Sequence, residues 1–87
     1  MIVSDFKKLS KNTLRASFSL TLNSGLIIHG CTLHIKGDSQ RVGLRARPYK
    51  KQGGTVGFAR VVEFSSREIS NNFKLQVLRA LRQQRLL

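Results

Sequence analysis

An 87-residue chain is about one domain's worth of sequence, near the size at which a single hydrophobic core only just suffices. Sixteen lysines and arginines against four carboxylates give a formal charge of +12 and a pI near 11.5, an imbalance that a polyanionic partner would relieve. The one cysteine, Cys31, excludes an internal disulfide; no apolar run approaches the roughly 18 residues of a membrane span and no signal-peptide pattern opens the chain, so we expect one cytoplasmic domain over residues 1–87.

The opening IVSDFKK reads as an edge strand. In TLRASFSLTL, Leu14, Ala16, Phe18, Leu20 and Leu22 share one face and Arg15, Ser17, Ser19 and Thr21 the other, the pattern of a half-buried antiparallel strand. Asn23-Ser24-Gly25 supplies a turn, and LIIHGCTLHIK follows as a long second strand in which Gly30 marks a bulge or bend. After the Lys36–Ser39 turn, RVGLRAR places Val42, Leu44 and Ala46 inward and Arg41, Arg45 and Arg47 outward. The glycines of KKQGG close another hairpin, and TVGFARVVEF returns with Val56, Phe58, Val62 and Phe64 on one parity, interrupted by Arg60.

From Ser65 the period turns helical. Ser65 and Glu68 have capping-box spacing with Phe64 and Ile69 at the staple positions, and Ile69, Phe73, Val77, Ala80 and Leu81 form a stripe to cover the sheet. Leu75, Leu78 and Leu86 fall on a second sector, which predicts a homodimer contact. The expected architecture is α+β: an antiparallel sheet of four to five strands over residues 2–64, followed by one C-terminal helix, 66–84, packed on it.

Little here points to catalysis. His29 and Cys31 are expected on one face of their strand and His34 on the other, with no fourth ligand near, so neither a metal site nor a cofactor is expected. The acids Asp5, Asp38, Glu63 and Glu68 are scattered, and the KKQGGTVG glycines fit no nucleotide-binding loop, so neither an enzyme nor a small-molecule substrate is implied. The basic charge is organised instead. Arg41, Arg45, Arg47, Lys50, Lys51 and Arg60 fall in two consecutive strands and their hairpin, where a strand spacing of about 4.8 Å would make them a compact patch for phosphates. Tyr49 stands among them, available to stack on an unpaired base. These residues predict binding of DNA or RNA, single-stranded or with weak sequence specificity; the alternative is an assembly module whose basic face and helix meet an acidic protein. Lipid attachment is disfavoured because arginines interrupt both apolar sectors of the helix.

The segment LRASFSLTLNSGLIIHG, the basic ARPYKK hairpin and VVEFSSREISNNFKLQVL together resemble the bacterial SpoVG family of sporulation and septation regulators, over roughly Ile2 to Leu81. The more specific parts are the strand ending Ile27-Ile28-His29 and the junction Ser65-Ser66-Arg67. The resemblance implies a dimer with a sheet backed by a C-terminal helix, nucleic-acid binding in a regulatory role, and Arg67 as a further contact. A weaker similarity of element order and charge links the chain to the positive-cofactor transcriptional coactivators, which hold single-stranded DNA on basic sheet faces.

Overall fold

The computed structural model describes all 87 residues, Met1–Leu87, and has an α+β architecture with two sheets and one helix. β1 (Ile2–Lys11), β2 (Leu14–Thr21), β3 (Ile27–Lys36) and β4 (Ser39–Gly43) pair antiparallel in sequence order. β5 (Ala46–Lys50) and β6 (Val56–Arg60) form a separate two-stranded hairpin, and α1 spans Arg67–Gln83. The sheet of four to five strands therefore resolves into four strands plus an arm. No helix is long and apolar enough to cross a membrane.

The alternation of β2 delivers the core. Ala16, Phe18 and Leu20 are buried, and the register carries the layer across the sheet as Val3, Leu20 and Ile28 in one row and Ala16, Leu33 and Val42 in another. Val77, Leu78, Ala80 and Leu81 of α1 close this face. Only the C-terminal half of the helix is buried, because the sheet extends no further beneath it. Ile69, expected in the buried stripe, is 51% exposed.

Gly30 decides how the rest of the sheet is read. Its φ of +74° inserts one extra residue into β3 between Cys31 and Ile28, opposite the two-residue step from Phe18 to Leu20 in β2. The inward parity thus runs Ile28, Cys31, Leu33. His29 and His34 consequently share the open face and Cys31 lies in the core, which corrects the pairing of His29 with Cys31 expected from uninterrupted alternation. The same bulge ends β4: the ladder stops at Thr32 opposite Gly43, two residues short of the position where Arg45 would face Gly30. RVGLRAR is therefore not one strand, and Ala46 is exposed in place of anchoring it.

The helix starts one residue later than the capping-box spacing suggests. Ser66 is the N-cap and its Oγ accepts the Ile69 N–H at 3.2 Å, so Glu68 sits in the first turn without closing a box, where its charge still suits the helix dipole. Phe64 packs on Phe73, with ring centroids 5.0 Å apart, and not on Ile69. At the other end Arg85 takes φ +57°, its N–H donates to the Arg82 carbonyl at 3.0 Å, and the Leu86 N–H donates to the Leu81 carbonyl at 2.9 Å, a Schellman turn that folds Leu86 back onto the core. Leu78 is only 8% exposed. Of the three leucines expected to form an outward dimer surface, Leu78 and Leu86 are thus part of the chain's own packing, and only Leu75 stands free at 61% exposure. Gln84 completes the edge: its Oε1 accepts the Val3 N–H at 2.8 Å and its Nε2 donates to the Val3 carbonyl at 3.0 Å, so the side chain pairs with β1 as a further strand would.

Candidate nucleic-acid interface

β5 and β6 form a sheet of their own, with no backbone of another strand or helix alongside. The radius of gyration is 13.9 Å, where a compact chain of this length has roughly 12 Å, and the longest dimension is 45 Å against 30 and 24 Å. The ribbon projects from the body as an arm.

Paired residues of an antiparallel ladder share a face, which sorts the arm's side chains. Arg47 pairs with Ala59 and Tyr49 with Gly57 on one side. Gly57 is what seats the tyrosine: an added Cβ there would collide with the Tyr49 ring and the Lys51 stem, both of which lie over the glycine. This face therefore presents a braced aromatic ring between Arg47 and Lys51. The opposite side carries Ala46 with Arg60, Pro48 with Phe58 and Lys50 with Val56. Phe58 is 68% exposed and Val56 60%, a reversal of their expected inward parity that follows from the absence of any layer behind the arm.

The expected cations are thus divided among several surfaces and do not form one sheet face. Lys50 and Lys51 lie at the arm's outer end and Arg47 in its shaft. Arg45 occupies the bridge from β4 to β5, and its Cβ, Cγ and Cδ each lie 3.4 Å from where a Gly30 Cβ would stand, so the stem runs along the bulge. Arg45, Arg60 and Arg67 converge on a cleft of about 610 Å³ where the arm's base meets the start of α1, joined there by Lys74. Arg41 stays apart, on β4 opposite His34 on the open face of the sheet. That face is polar: Ser19 Oγ is 2.9 Å from His29 Nδ1, and Thr13 Oγ1 is 3.3 Å from His34 Nδ1.

Little of the positive charge is neutralised internally. Arg15 donates to the Asn12 carbonyl and Arg82 to the Gln40 side chain, both uncharged acceptors. Cys31 is chemically quiet: burial pushes its thiol from 9.0 up to about 11, and its Sγ–H points at the Ile28 carbonyl 3.7 Å away. Two residues escaped the sequence reading. Phe58 looks like a core residue by alternation, and Lys74 carries no local signal, since only the fold brings the second turn of the helix to the arm's base. A scan against protein-family models found no match, and neither did searches of curated proteins and of solved structures.

Proposed function

We propose that the protein binds nucleic acid, gripping the sugar-phosphate backbone with the cations of the β5–β6 arm and stacking unpaired bases on Tyr49 and Phe58. The observation that carries this reading is the arm itself: a ribbon with no partner in its own protomer, holding Arg47, Lys50, Lys51 and Arg60 around two exposed aromatic rings. An isolated two-stranded ribbon is marginal in water, so its stable role is against a surface it does not carry itself. Cations spaced along a strand suit phosphates, and rings on both faces suit single strands, because every base offers a π-face whatever its sequence. Binding is accordingly weakly sequence-specific. The likeness of Ile27-Ile28-His29 and Ser65-Ser66-Arg67 to the SpoVG regulators supports the same assignment and adds a regulatory role.

A mobility-shift panel of single- and double-stranded DNA and RNA, run at ~50 and ~200 mM salt, tests it: single strands should bind more tightly and lose affinity steeply as salt rises. Absence of binding to all four at low salt would refute the reading. Self-association belongs to the proposal as well, because Leu26, Ile27 and Val61 leave a second exposed apolar area at 59%, 51% and 54%. Light scattering should then give twice the 9.8 kDa chain mass. The bare apolar face of the arm favours one competing reading, an acidic protein partner, for which Phe58 and Val56 would be the anchors and excess oligonucleotide would fail to compete.

A further inference from the structure

The cleft at the base of the arm is a different kind of surface from the arm. Its walls come from the bridge Leu44–Ala46, from the Arg60–Ser66 segment and from the first two turns of α1. At about 610 Å³ it has the size of a small-ligand site, whereas the arm is a convex ribbon. Four cations, Arg45, Arg60, Arg67 and Lys74, line it with the single carboxylate of Glu63, which leaves an excess of three positive charges in a concave space.

We propose that this cleft holds the terminal phosphomonoester of a bound nucleic-acid strand, whose remaining length lies along the arm; the inference rests on the nucleic-acid reading above. Charge selects the terminus over an internal linkage. A backbone diester brings one negative charge, whereas a phosphomonoester carries about −1.5 to −2 at neutral pH and offers three acceptor oxygens. The donors suit those oxygens. Arg45 and Arg60 bring guanidinium forks to the lining of the cleft, and Ser65 and Ser70 bring hydroxyls. Ser66 already accepts the Ile69 N–H, so its own O–H remains free to donate. The stem of Arg45 is seated along Gly30, so part of its ordering is complete before a ligand arrives.

The test compares one short single-stranded oligonucleotide made with a 5′-phosphate, a 3′-phosphate or hydroxyls at both ends, binding to the intact protein at ~200 mM salt, where diffuse attraction is screened. One phosphorylated end should bind about tenfold more tightly than the hydroxyl-ended strand, and its identity fixes the polarity of the strand on the arm. In Lys74→Gln, checked by circular dichroism to be folded, the ratio should fall to about one, whereas Lys50→Ala with Lys51→Ala should lower every affinity and keep the ratio. Equal affinities for all three ends in the unaltered protein overturn this inference and leave the nucleic-acid reading standing. Where none of them binds at ~200 mM the three are compared at ~50 mM, and no binding there overturns both. A ratio that survives in folded Lys74→Gln removes the cleft as the site.

Discussion

The four-stranded body and the two-stranded arm are built from similar alternating sequence, yet they meet opposite ends. In the body the β1 edge is managed and the apolar face is covered. β1 is broken by the bulge at Asp5, φ +52°, carries Lys7 and Lys8, and is paired by the Gln84 side chain, while α1 covers the apolar face. In the arm the apolar side chains Val56 and Phe58 are mostly exposed, with no layer packed over them. Stability is therefore held in the body, while the arm, which carries Arg47, Lys50, Lys51 and Arg60, is the least anchored part of the fold, the part from which binding elements are commonly drawn.

The largest effects should mark that division. Leu81 is wholly buried between helix and sheet, so Leu81→Ala should lower unfolding free energy by about 3–5 kcal/mol in urea titrations. Phe58→Ala should leave it within about 0.5 kcal/mol while weakening oligonucleotide binding. A similar loss of stability from both would erase the distinction between body and arm. Next comes the pH dependence of the body. The Cys31 thiol titrates at 9.0 when unperturbed and near 11 in the fold, so the unfolded chain releases this proton first. The stability it supports is complete below 9.0 and is lost as pH rises toward about 11, some 2–3 kcal/mol in all. Cys31→Ala should flatten the curve across that window, and a slope unchanged by the substitution would place its origin elsewhere.

Gly30 links the two regions. Gly30→Ala forces a side chain into φ +74° and against the Arg45 stem, and should cost about 1–2 kcal/mol as well as weaken oligonucleotide binding. Unaltered binding would mean that the seat of Arg45 on the bulge is irrelevant to the interface. The smallest effect concerns the edge: Gln84→Ala unpairs the Val3 N–H and carbonyl and should cost about 1 kcal/mol, read most directly as faster amide exchange at Val3.

Much of the body was legible because its signals are local. β2 declares its buried face by alternation, the turns carry glycine or asparagine, and α1 differs from its predicted bounds by one residue at each end. The arm was not legible as an arm. Val56 and Phe58 alternate as a core strand does, and what denies them a core is the Gly30 bulge, some two dozen residues earlier, which stops β4 at Gly43. Gly30 could be read as a bulge from sequence, but its effect on parity depends on which residues it separates across the ladder, and this also reversed the grouping of His29, Cys31 and His34. The basic residues were identifiable individually. Their convergence on a cleft was not, because Lys74 and Arg45 line the same space only through the tertiary fold.

The claim that the arm is the nucleic-acid grip is tested most directly by the salt dependence of oligonucleotide affinity in the unaltered protein and in an Arg47→Ala, Lys50→Ala, Lys51→Ala variant of equal stability. A steep logarithmic slope is expected between ~50 and ~200 mM salt, shallower by about 2 in the variant as three phosphate contacts are lost. An identical slope in the two proteins, or an affinity insensitive to salt, would contradict it.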